Sequence, residues 1–99
     1  QMSNFKELIK SDKPVLVDFS ADWCGPCKQL APILEQVKLR VGDAAKIIKI
    51  DVDRNRSVAD QFQIRSVPTM ILFKDGKSVW RQSGVQPAHV LEKLIKQYS

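Results

Sequence analysis

Cysteine and histidine are scarce in this chain: its 99 residues include two cysteines and one histidine. That scarcity argues against a structural zinc site, which needs four ligands, because beyond the cysteines only His89 could serve and no second pair lies near it. Long apolar runs are missing too. No segment approaches the ~18 consecutive apolar residues of a membrane-spanning helix, and no secretory leader is visible. Nor is there a run of basic residues. The 16 lysines and arginines are interleaved with 11 acids, for a net charge of +5. That pattern reads as a solvated surface rather than a nucleic-acid patch, with some general attraction to acidic partner proteins. Repeats, linkers and low-complexity tracts are absent. What remains is one small domain over residues 1–99, with the composition of a soluble globular chain and enough apolar residues for a single modest core.

The two cysteines are not scattered. They stand in Trp23-Cys24-Gly25-Pro26-Cys27, at i and i+3. At the start of a helix this spacing brings the Cβ atoms to roughly 5–6 Å, so one turn can hold the bonded and the open form. Gly25-Pro26 is a turn signal, and proline suits a first helical turn because its missing N–H is not needed there. Leu30, Ile33, Leu34, Val37 and Val41 then recur at helical spacing. Cys24 therefore sits where a helix begins, and there the free N–H groups and the helix dipole favour a thiolate. As a structural staple the pair is weak, since closing so short a loop removes little chain entropy. A redox dithiol needs only what is present.

The rest of the chain reads as α/β. Ser3 or Asn4 is positioned to cap a first short helix with Phe5, Leu8 and Ile9 on one face, ended by Asp12-Lys13-Pro14. Val15 to Phe19 is a buried central strand. Asp18 interrupts it, and an ionisable group in such a run is too costly to persist without a partner or a purpose. The second helix runs to about Arg40, with Pro32 inside it predicting a kink and Gly42 as its stop. Ala45 to Val52 is again nearly continuous in apolar residues, interrupted by Lys49, and is expected to be a central strand parallel to the first. Ser57 to Phe62 forms a short helix. Thr69–Lys74 and Ser78–Ser83, joined by Asp75-Gly76-Lys77, form an antiparallel hairpin. Pro87 opens a last helix with Val90, Leu91, Leu94, Ile95 and Tyr98 on one face, and His89 on it is a solvated residue.

The run Val17-Asp18-Phe19-Ser20-Ala21-Asp22-Trp23-Cys24-Gly25-Pro26-Cys27-Lys28 resembles the active-site segment of the thioredoxin family. The resemblance continues through Ala31-Pro32-Ile33-Leu34, Lys49-Ile50-Asp51-Val52-Asp53, Ile64-Arg65-Ser66-Val67-Pro68-Thr69, Phe73-Lys74-Asp75-Gly76 and Gly84. It implies a three-layer fold, a central mixed β-sheet flanked by helices on both faces. Too few residues precede the first helix for the strand the family usually has there, so four strands are expected.

The activity implied is reduction of protein disulfides by dithiol–disulfide exchange. Cys24, exposed at the helix start, attacks, and Cys27, one turn deeper, resolves the mixed disulfide. Asp18 is the buried base for Cys27, and Lys49, with its ammonium near Asp18, tunes it. The family pattern makes Val67–Pro68 a cis bond opposite the cysteines. It assigns client docking to Trp23, Gly25, Pro26, Val67, Pro68 and Gly84, with Val52 and Val85 as further apolar contacts. Ser20 departs from the aromatic residue many bacterial members carry there. No bound cofactor is implied: electrons come from NADPH through thioredoxin reductase, and clients are disulfide-containing reductases and peroxidases. The expected setting is a monomer without nucleic-acid or membrane partners, cytoplasmic if Met2 is the native start, and a reducing compartment suits a working dithiol. Two rivals remain: a non-catalytic binding module, against which the dithiol and Asp18 argue, and an oxidase or isomerase, whose relatives usually carry a different pair between the cysteines.

Overall fold

The structure, a computed structural model, describes residues 2–99. In chain order it runs α1 (Met2–Ile9), β1 (Val15–Ser20), α2 (Gly25–Val41), a 3₁₀ turn (Gly42–Ala44), β2 (Lys46–Asp51), α3 (Arg56–Gln61), β3 (Thr69–Lys74), β4 (Lys77–Ser83) and α4 (Ala88–Gln97). The four strands form one mixed sheet in the order β2-β1-β3-β4. β1 runs parallel to β2 and antiparallel to β3, and β3 pairs antiparallel with β4. This is the expected four-stranded sheet with helices on both faces.

The sheet's two faces are sorted by the two-residue period of β1. Val15, Val17 and Phe19 enter one core with Phe5, Ile9, Val58, Ile71 and Phe73, beneath α1 and α3. Leu16 enters the other with Leu30, Leu34, Val37, Leu91 and Ile95, beneath α2 and α4. All six residues of β1 are buried, so Asp18 is an interior carboxylate and not a strand end facing water.

Several expectations need correction. Ser3 and Asn4 lie inside α1 rather than at its cap, and Leu8 and Val90, placed on apolar faces by spacing, are exposed. β2, expected to be central, is an edge strand. Its apolar run has another cause. Ile48 and Ile50 pack on the α1/α3 core and Ile47 on the α2/α4 core, so both faces are covered although only one edge is paired. Continuity of apolar residues reports covered faces, not paired edges.

The helix and hairpin ends follow local chemistry. Gly42 caps α2 at φ 54° and donates its N–H to the Lys38 carbonyl. The hairpin loop is two residues, Asp75 (φ 53°) and Gly76 (φ 79°), and Lys77 belongs to β4. Two positive φ angles in succession are what a turn matching the strand twist requires.

Candidate active site

Cys24 is the N-cap of α2, and Pro26 lies in the helix's first turn. Its sulfur accepts the Cys27 backbone N–H at 3.1 Å. Cys24 and Cys27 are joined as a disulfide, with Cα atoms 5.2 Å apart. The N–H that holds the Cys24 sulfur here would also stabilise its thiolate once the bond opens. The two cysteines do not differ in exposure as expected: Cys24 is 4% accessible and Cys27 6%. Ala21 forms a small buried cluster with both cysteines, and the partly buried Val52 and Val67 pack against it. The exposed parts of the motif are instead Trp23, at 71%, with Gly25 and Pro26.

Facing the disulfide is the loop between α3 and β3. Its Val67–Pro68 bond is cis, and the Val67 carbonyl oxygen lies 3.6 Å from Cys24 Sγ. In the disulfide that sulfur carries no proton, so this is a contact; a Cys24 thiol would have a proton to donate there. Trp23, Val52, Ile64, Ser66 and Val67 line a surface cavity of about 130 Å³. Gly84 N–H donates to the Pro68 carbonyl at 2.8 Å. Gly84 holds φ 89°, a conformation that favours glycine, and a Cβ there would meet nothing within 4 Å, so the space above it is open. Val85 packs at the margin of the α2/α4 core.

Trp23 is held from its far side. Its Nε1–H donates to Asp53 Oδ2 at 2.9 Å, and Asp51 Oδ1 accepts the N–H groups of Asp53 and Arg54. Arg54 pairs with Asp22 at 3.6 Å, but both side chains are well exposed, so this pair contributes little energy. Asp53 is a site residue that sequence reasoning missed: it reads as one acid in a polar turn, and nothing local points it at a tryptophan 30 positions away.

Behind the disulfide, Asp18 is 2% exposed, and its Oδ1 has no hydrogen-bond partner in the protein. Burial pushes its carboxyl up from 3.8 to about 6, against the opposing pull of the Lys49 charge. Lys49 stands opposite Asp18 in the parallel ladder. The two are coupled through space but are not among the ion pairs of the described residues. Lys49 and Ala31 line two adjoining cavities. One, of about 310 Å³, reaches Asp18; the other, of about 130 Å³, reaches Cys27. Ser20 shares the Asp18 face of β1, and its buried Oγ likewise lacks a partner, a second interior polar group that the sequence reading noted only as a departure.

Among the described residues no three His, Cys, Asp or Glu side chains converge as a metal site, and no helix is long and apolar enough to cross a membrane.

Residues 1–97 match the family model described as Thioredoxin. The sequence is 52% identical over 98 residues to a thioredoxin-like protein of Synechocystis sp., covering 98% of this chain and 90% of that one. It is 47% identical over 95 residues to the chloroplastic thioredoxin Y of Oryza sativa, covering 95% of this chain and 56% of that one. The fold superposes on the crystal structure of oxidised mitochondrial thioredoxin 3 from Saccharomyces cerevisiae with a TM-score of 0.87 at 33% identity, covering 97% and 89% of the two chains.

Proposed function

The chain belongs to the thioredoxin family, and from that premise we propose how its own residues carry out the family's reaction, the reduction of protein disulfides by dithiol–disulfide exchange. The observation that carries the reading is the Cys24–Cys27 disulfide at the head of α2, with the Cys27 N–H bonded to the Cys24 sulfur. In the reduced protein the Cys24 thiolate attacks a client disulfide. A mixed disulfide forms, and one client sulfur leaves as a thiolate that takes up a proton. Cys27 then loses its proton and attacks Cys24 Sγ. The Cys24–Cys27 bond forms and the second client sulfur is released.

Cys27 is buried, so its thiolate is disfavoured and its proton needs an acceptor. Asp18 is that base. Its carboxyl titrates at about 6, close to the pH at which general bases work best, and the adjoining cavities that share Lys49 and Ala31 give the proton a route. Lys49 tunes Asp18 by favouring its charged form. Trp23, Gly25 and Pro26 present the exposed rim on which a client rests. Val67 offers its backbone to the client chain, Pro68 keeps the loop against the sulfurs, and Gly84 leaves space for the partner. Val52 lines the same groove.

On this reading the protein works as a single-domain monomer. It is re-reduced by thioredoxin reductase with electrons from NADPH, in a reducing compartment such as the cytoplasm, and its clients include disulfide-forming reductases and peroxidases. The test is reduction of insulin disulfides with dithiothreitol as the electron source. Wild type accelerates it, whereas Cys27→Ser attacks once and accumulates as a mixed disulfide through Cys24. A wild-type protein without acceleration would support the binding-module reading instead.

A further inference from the structure

Three hydroxyls flanking the Val67–Pro68 loop, of which Ser66 lines the docking groove, form a hydrogen-bond arrangement that the reaction itself does not use. Thr69 Oγ1 donates to the Ser66 carbonyl oxygen at 2.7 Å. It also lies 2.9 Å from Ser83 Oγ, a contact in which either oxygen could donate. Ser66 Oγ lies 3.4 Å from Ser83 Oγ. A hydroxyl carries one proton, which fixes the directions. The Thr69 proton is engaged by the Ser66 carbonyl, so Ser83 must donate to Thr69. The Ser83 proton is then engaged too, so Ser66 must donate to Ser83. The bonds close on themselves: Ser66 hydroxyl to Ser83, Ser83 to Thr69, Thr69 back to the Ser66 carbonyl.

The ring ties two separate segments together. Ser66 and Thr69 bracket the Val67–Pro68 pair, and Ser83 is the last residue of β4, opposite Thr69 in the ladder. Immediately beyond it Gly84 makes the second tie, its N–H to the Pro68 carbonyl at 2.8 Å. Thr69 is buried at 1%, while Ser66 and Ser83 are exposed at the rim. Ser66 lines the groove beside Trp23 and Val67. Bonds in such a chain polarise one another, so losing one member weakens the rest.

We propose that Ser66, Thr69 and Ser83 are positioning residues for client recognition: their closed ring fixes the backbone on either side of Val67–Pro68 and so pre-forms the groove in which a client strand docks. The proposal rests on the assignment of that groove to client docking made above. A groove held in its docking shape spares the client the cost of ordering it on binding. Loss of the ring therefore acts on client affinity and not on the sulfur chemistry.

Ser83 takes part in both hydroxyl–hydroxyl links and is exposed, so Ser83→Ala is the decisive variant. In insulin reduction its KM rises about threefold to tenfold, the range expected when one hydrogen bond of normal length, to Thr69, is lost together with the long, weak one from Ser66, with kcat nearly unchanged. Ser83→Thr restores the hydroxyl and the wild-type KM. Ser66→Ala gives a smaller rise, because its link is the long one. An unchanged KM in Ser83→Ala, or a Ser83→Thr variant as impaired as Ser83→Ala, overturns the proposal. Wild type in the same assay tests the underlying reading separately. Were wild type inactive, amide exchange at Gly84 would still decide the ring: faster exchange in Ser83→Ala than in wild type supports it, and equal exchange refutes it.

Discussion

On one face of β1, Val15, Val17 and Phe19 meet three phenylalanines from α1, β3 and the end of α3, with ring centroids 5.3–6.2 Å apart across the group. On the other face, one residue away along the same strand, Asp18 and Ser20 are just as deeply buried and have an oxygen each without a partner. Backbone, strand and burial are the same; only the side of the pleat differs. The aromatic face lies under α1 and α3, which bear no thiols. The polar face lies under α2, which carries Cys27. Burial on the first face therefore contributes stability, whereas on the second it raises the proton affinity of a carboxylate on the side of the sheet that packs against the cysteine-bearing helix. One strand separates the two tasks by its two-residue period.

The largest effect should come from breaking the stable face. Phe19→Ala removes a fully buried ring from the aromatic group and should lower unfolding stability by about 3–5 kcal/mol, read as a shift of the urea midpoint. Asp18→Asn, on the opposite face of the same strand, should have the opposite sign. The folded protein holds the Asp18 proton more tightly than the unfolded chain, up to about 6 against 3.8. Its favourable contribution is thus complete below 3.8 and is lost as pH rises through about 6. Measured on the oxidised protein, Asp18→Asn should gain up to about 3 kcal/mol over wild type at pH 8 and gain nothing at pH 3.5. A destabilised variant at pH 8, or a gain that persists in acid, would remove the contrast between the faces.

Much of this was legible in the sequence because it rests on local rules. The cysteine spacing, Pro26, Gly42, Asp75-Gly76 and the alternation along β1 each depend on a few neighbouring residues, and the elements they imply are present. What was not legible depends on residues far apart in the chain. Cys24 reads as exposed from its place at a helix start, yet it is buried in a cluster against which Val52 and Val67, brought in from other elements, pack. β2 reads as central from its apolar run and turns out to be an edge. The bond from Trp23 to Asp53 joins segments whose sequences carry no sign of one another; the hairpin signal does bring Thr69 opposite Ser83, but nothing in it shows that Ser66 closes a ring with them. Asp18 lies between these cases. Its burial could be read from the strand around it, but its unpartnered oxygen could not.

The separation of attack from resolution bears most directly on the role of the polar face. A disulfide peptide mixed with reduced protein in a stopped-flow instrument gives two phases, formation of the mixed disulfide through Cys24 and its release by Cys27. In Asp18→Asn the first phase should stay within about twofold of wild type, since Cys24 draws its acidity from the head of α2. The second should slow by about tenfold or more, because a positioned base commonly contributes that much or greater. A variant that slows attack and leaves resolution untouched would contradict the account, and the Cys27 proton would then leave by a route that does not pass through Asp18.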